Sequence, residues 1–158
     1  MAIYMQVPGI KGDATQGKHT DWIIVNSVQW GVGRGISTPV GGANNREASE
    51  PSVSEVTLTK DYDSSSVLLF QEATVGMEAK TPVKLDFCRT DQEGEPYLQI
   101  ELSDVLLSGY SFSSGGDRPS ESVSLNFTKI AVNETGPNQK NGAGQPVKAQ
   151  YDLAKASK

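Results

Sequence analysis

Between Tyr97 and Val132 apolar and polar residues alternate in two long runs around one turn, and no other stretch narrows the choice of fold so far. Leu98, Ile100 and Leu102 alternate with Gln99, Glu101 and Ser103. A period of two puts the two sets on opposite faces of a strand. After Asp104 the apolar phase slips to Val105 and Leu107, then returns at Tyr110 and Phe112. A slip of one residue marks a β-bulge, and bulges bend strands. Ser113 to Ser120, with Gly115-Gly116-Asp117 and Pro119, is a dense cluster of turn formers. The return arm sets Val123, Leu125 and Phe127 against Ser122, Ser124 and Asn126, and slips again at Ile130 and Val132, roughly opposite the first slip. One long, bent β-hairpin results, with arms beyond the usual five or six residues. Such hairpins suit a sheet that curls towards a closed barrel.

The flanking chain adds strands and one helix. Ala2 to Val7 alternates, and Pro8 to Asp13 ends it as a turn. A second strand is expected from Ile23 to about Val32, a third from Val53 to Thr59 and a fourth from Val83 to Cys88. Asp63 can cap a helix over Ser64 to Val75, with Gly76 as its stop and Leu69, Phe70 and Ala73 on the side that packs. Residues 134–146 read as loop, and Val147, Ala149, Tyr151 and Leu153 as a closing strand. Gly33 to Glu50 is nearly devoid of apolar residues and rich in glycine. Loops of this length are usually functional or disordered. We expect a protruding loop that touches a partner, centred on Ser37, Thr38, Pro39, Val40, Gly41, Gly42, Ala43, Asn44, Asn45 and Arg46.

The totals exclude several classes. The 158 residues suit one domain, which can bury enough surface to fold without a disulfide or a metal. Sixteen glycines and eight prolines fall well short of the roughly 25–30% of low-complexity chains. A net charge of −5 argues against nucleic acid, whose binding depends on neutralising phosphates. No run of about 18 apolar residues exists to span a membrane. The N-terminus has neither the basic nor the apolar region of a general secretory signal, and the one cysteine, Cys88, has no internal partner. Folding in the cytoplasm is expected, and export without a signal peptide stays open.

Catalytic groups are scarce. His19 is the only histidine and lies in a polar loop, where it reads as exposed or structural. Cys88 lies on a strand, away from any helix start that would lower its pKa, and reads as an inert thiol. One Cys and one His cannot hold zinc. Gly31 to Gly35 lacks the spacing of a phosphate cradle. Asp63, beside Asp61, suits helix capping better than a cation site. No enzyme and no cofactor is expected. Acidic Asp91, Glu93 and Glu95 and basic Lys140, Lys148, Lys155 and Lys158 offer complementary patches that could set head-to-tail stacking.

The ordered set of motifs resembles the haemolysin-coregulated protein (Hcp) family, tail-tube components of bacterial type VI secretion systems. Gly9-Ile10-Lys11-Gly12-Asp13, then His19, then a strand ending in Trp30-Gly31 open the pattern. The glycine-rich loop Gly33 to Glu50 follows, then Leu58-Thr59-Lys60 leading into the helix. Val105-Leu106-Leu107-Ser108, the Ser113 to Gly116 turn and Glu121 to Phe127 complete it. The resemblance covers almost the whole chain. It implies a mainly β fold, a small barrel of two packed antiparallel sheets with one short helix on its side. It also implies a hexameric ring with a wide channel, stacked into a tube, driven out by a sheath and carrying small effectors in its lumen. On that reading residues 1–158 are one tube domain without a fused C-terminal toxin. The partners are copies of the chain, spike and sheath components and small effectors, with no nucleic acid and no membrane insertion. The protein would be cytoplasmic when assembled and then secreted. The C-terminal strand, through Val147, Tyr151 and Leu153, is expected at an interface. The rival readings are a phage tail-tube protein and, from another class, a monomeric barrel binding a small ligand.

Overall fold

The strands read from alternation pair into two antiparallel sheets; the phase slip at Asp104, expected as a bulge, and the one before Ile130 mark crossings from one sheet to the other, while the return of phase at Tyr110 is a bulge within the smaller sheet. The computed structural model describes residues 1–41, 46–90, 94–135 and 146–158. The larger sheet contains β1 (Ala2–Gln6), β2 (Ile23–Val25), β9 (Val83–Cys88), β10 (Pro96–Ser103), β13 (Lys129–Glu134) and β14 (Val147–Asp152), in the order β14-β13-β10-β9-β1-β2. The smaller sheet contains β3 (Ser27–Gln29), β8 (Val56–Asp61), β11 (Leu106–Ser113) and β12 (Ser120–Asn126), in the order β11-β12-β8-β3. The helix α1 spans Ser66–Val75 and packs on β11.

The long hairpin is present, and it serves both sheets. Its base is β10 on β13 and its outer half is β11 on β12. Register carries across the break without a net slip: Leu102 faces Ile130 and, four residues along each arm, Leu106 faces Asn126. At the corner Asp104 has φ 52°, and its carboxylate accepts the Thr128 hydroxyl at 2.9 Å. A bulge between Leu107 and Gly109 adds curvature to the outer half.

The expected second strand is broken at Asn26. Ile23–Val25 stays in the larger sheet, while Ser27–Gln29 joins the smaller, and Asn26 N–H donates to Thr59 O at 2.8 Å. The switch from Ile23 and Val25 to Val28 and Trp30 in the apolar phase is this crossing. The expected third strand also divides, into β7 (Ser52–Val53) and β8, where Ser54 N–H turns aside to Gly31 O.

Between the sheets, Met5, Ile23, Leu58, Leu85, Leu102, Val123 and Leu125 form a fully buried core, closed on one side by Leu69 of α1. Truncating one of these leucines to alanine costs about 2–5 kcal/mol. The helix start differs from expectation. Ser65 is the N-cap residue and makes no side-chain cap bond. Asp63 instead accepts Ser65 N–H at 2.9 Å in a turn before the helix, because its carboxylate is engaged by Lys60. Gly76 ends the helix as expected, its N–H donating to Glu72 O. Phe70 does not pack inward with Leu69; it stays half exposed and meets Tyr110 edge-on.

Candidate interaction surfaces

The segment expected to be an irregular loop is a narrow two-stranded arm. Val32–Gly33 (β4) pairs with β7, and Ile36–Ser37 (β5) pairs with Glu47–Ala48 (β6). Ser49 locks the ladder between these rungs: its N–H donates to Gly35 O and its hydroxyl accepts Gly35 N–H, both at 2.8 Å. Ser37, Thr38, Pro39, Val40, Gly41 and Arg46 are exposed along the arm and its tip. Gly42, Ala43, Asn44 and Asn45 lie outside the described residues. Backbone and serine hydroxyls, not apolar packing, make this ladder, so alternation gave no sign of it.

The proposed stacking charges are scattered. Asp91, Glu93 and Lys140 lie outside the described residues. Glu95 is ion-paired with Lys18 of the same chain. Lys155 sits in the C-terminal turn, its N–H donating to Asp152 Oδ1. Lys148 lies on β14 and lines a shallow hollow of about 140 Å³ with Lys84, Asp86, Gln99, Glu101 and Asn133. Strand β14 is an edge strand on β13, with Val147 exposed while Tyr151 and Leu153 pack against the core.

The outward faces of the two sheets differ in chemistry. Across the larger sheet one rung reads Ile24, Tyr4, Asp86, Gln99, Asn133 and Lys148. The neighbouring rung brings Lys84 opposite Glu101. Across the smaller sheet one rung reads Ser27, Thr59, Ser122 and Ser111, and the next Gln29, Thr57, Ser124 and Gly109. Neither of these rungs holds a charge. One pair of these hydroxyls is bonded, Ser27 Oγ to Thr59 Oγ1 at 2.6 Å. The Ser122 and Ser124 face singled out in sequence is therefore part of a broad hydroxyl-lined surface.

Two polar clusters hold irregular segments to the sheets. His19, expected to stand alone, is 2% exposed. Its Nδ1 is 2.7 Å from Gln16 Oε1 and its Nε2 2.8 Å from Asp86 Oδ2, so both ring nitrogens face oxygen acceptors. Tyr4 stacks on the ring and Trp22 meets it edge-on. Cys88 Sγ is 3.9 Å from Nε2, and burial is the main reason its thiol is pushed up to about 11, with nearby Asp86 adding to it. The thiol stays protonated at neutral pH, and neither imidazole nitrogen is left over to activate a substrate. The arrangement clasps the Lys11 to Trp22 segment to the sheet. Gly12 serves the same segment, because a Cβ there would lie 2.6 Å from Ile23 Cα.

The second cluster lies under α1. Lys60 is fully buried opposite Glu121 on the neighbouring strand. Its ammonium donates to Glu121 Oε2 at 2.7 Å, Asp63 Oδ1 at 2.9 Å and Ser66 Oγ at 3.1 Å. Tyr110 donates its hydroxyl to the other Glu121 oxygen, and burial together with this bond raises the phenol's pKa. Asp63 is thus an internal counter-ion for Lys60, neither the helix cap nor a cation ligand. Neither cluster was legible in sequence beyond the inward-phase position of Lys60 after Val56 and Leu58.

The interior that a ligand-binding barrel requires is occupied by the core side chains. Among the described residues no helix is long and apolar enough to cross a membrane.

Fold and surfaces define a β-rich protein with open sheet edges and a projecting arm, and comparison with known proteins places it. Residues 4–133 match the family model for "Type VI secretion system effector, Hcp". Protein hcp1 of Pseudomonas aeruginosa is 30% identical over 156 residues, covering 96% of this chain and 94% of that protein. A solved type six secretion system protein superposes with a TM-score of 0.88 at 24% identity, over 99% of this chain and 98% of the other. Hcp1 from Salmonella typhimurium gives 0.79 at 22% identity, over 99% and 97%. The chain belongs to the Hcp family of type VI secretion system proteins.

Proposed function

We propose that the protein is a tail-tube subunit, six copies closing into a ring whose stacks form a tube that carries small effector proteins. The observation that carries this reading is the set of open edges. Among the described residues the larger sheet ends in β14 and β2 and the smaller in β11 and β3, each with no strand on its outer side apart from a bridge of Asp152 to Ser157 at the end of β14. Exposed edges are templates for pairing with another chain, and a closed ring of copies satisfies them. The arm from Ser37 to Arg46 then reaches a neighbouring copy, and β14 lies at an interface. The hydroxyl face of the smaller sheet suits a channel wall: it stays hydrated, carries no charge in its two central rungs, with Asp61 in the rung beyond them, and offers cargo weak, reversible hydrogen bonds. Residues 1–158 act as one tube domain with no catalytic role. Spike and sheath components bind the tube's ends and outer wall, and firing moves the protein from the cytoplasm to the medium. Light scattering on a sizing column tests the ring. A mass near six chains, or larger stacked species, is expected; a monomer at working concentration would overturn the reading.

A further inference from the structure

We infer that the outer face of α1 is a docking surface for the arm of a second copy of this chain. The inference rests on the reading of the chain as a self-assembling subunit and says which surfaces meet. The helix is apolar nearly all round: Leu69 is buried, while Val67, Leu68, Phe70 and Val75 stay exposed. Met77, just past its end, is 91% exposed. A helix with apolar residues on every side belongs between two partners, and only one side of α1 meets the barrel. Exposed apolar patches of this kind mark protein contacts.

The counterpart is on the same chain. Val32, Ile36 and Val40 are exposed along the arm, with Val40 wholly open at its tip. Because the helix face is exposed, the described residues of the chain's own arm do not cover it. Charge matches as well. The arm's outgoing strand and tip carry Arg34 and Arg46, while its return strand adds Glu47 and Glu50; from Ser64 to Glu78 the helix segment carries Glu72, paired with Lys80, and Glu78, so the complement is between the two arginines and Glu78. The arm is long enough: the eight steps from Val32 to Val40 span about 26 Å in extended form, against about 15 Å for a ten-residue helix. Since arm and helix are different surfaces, the contact is heterologous. It repeats from copy to copy until a ring closes or a filament grows.

The test is a charge-reversal cycle read as assembly against concentration by light scattering. One variant carries Arg34→Glu and Arg46→Glu. The other carries Gln71→Lys and Glu78→Lys, which leaves the Glu72–Lys80 ion pair in place. All four substituted side chains are exposed, so thermal melting should match the wild type and exclude misfolding. Each variant should need roughly tenfold more protein to assemble, and the combined variant should recover most of that loss, as expected when like charges are brought together and then relieved. Val67→Ser should weaken assembly in the same direction. A wild type that stays monomeric throughout would overturn the self-assembly reading itself. An assembling wild type with unaffected variants, or with single losses that the combination does not recover, would overturn the arm-on-helix contact alone.

Discussion

The Lys60 and His19 clusters do the same structural work with different chemistry. Each pins an irregular segment to a sheet, and each is almost wholly buried. Under α1 the pin is ionic: one ammonium holds two carboxylates and a serine, on the core side of the smaller sheet. On the outward side of the larger sheet the pin is an aromatic sandwich with two hydrogen bonds to the imidazole. A buried ionic pin fails as a unit, because removing one charge strands the other in a poor solvent. An aromatic pin loses packing and hydrogen bonds piece by piece. The contrast predicts sharp, non-additive mutational behaviour in the first cluster and graded behaviour in the second.

The sharpest break is Lys60→Met. It leaves Glu121 and Asp63 facing each other without their cation and should cost about 3–5 kcal/mol in urea unfolding. Lys60→Met combined with Glu121→Leu should be less damaging than Lys60→Met alone, since no carboxylate then faces the vacated site across the strands. A double variant as unstable as the sum of its singles would refute the unit behaviour.

His19→Ala should cost less, about 1–3 kcal/mol, because Asp86 keeps the Gln99 amide at 3.2 Å as a donor. Asp86→Asn should cost less again, since the shape and the aromatic sandwich remain. Equal losses from the two substitutions would mean that the ring's packing contributes little.

Cys88 sharpens the comparison through pH. Its thiol is pushed up from 9.0 to about 11, so the fold favours the neutral form. The corresponding stability is fully present below pH 9 and is lost as pH rises towards 11. At pH 8 the folded protein should react with an alkylating reagent far more slowly than the urea-unfolded chain. Equal rates would show that the site opens readily, and the His19 clasp would then be loose.

How much of this was readable depends on what makes each element. Strands β1, β9 and the long hairpin bury one face, so alternation announced them; the slip at Asp104 reads as a bulge in the sequence, yet it and the one near Ile130 fall at the corners between the sheets. The same signal at Val25 to Val28, inside the run expected as one strand, marks a third crossing of the same kind. The arm left no trace because its rungs are held by backbone and by Ser49, with both faces in solvent. The two clusters escaped for another reason. Each joins residues far apart in sequence, such as His19 and Asp86 or Lys60 and Glu121, and charged side chains in a strand read by default as a solvated face. Asp63 shows the cost of local reasoning: its position before the helix fits a cap, yet a lysine three residues earlier claims its carboxylate.

The arm supplies the smallest predicted effect on stability. The described residues of its tip, Val40, Gly41 and Arg46, are exposed, so deleting Gly41 to Arg46 should leave the urea midpoint unchanged within about 0.5 kcal/mol, the range of surface changes. Assembly should respond in the opposite way, with the folded subunit failing to form tubes of normal length in electron micrographs. A region can thus be nearly silent in the folding of one chain and decisive in the association of many, because its free energy is realised only when another copy covers it. Normal tubes from the deletion variant would remove the arm from assembly. A large loss of stability would show that the arm belongs to the fold of the single chain.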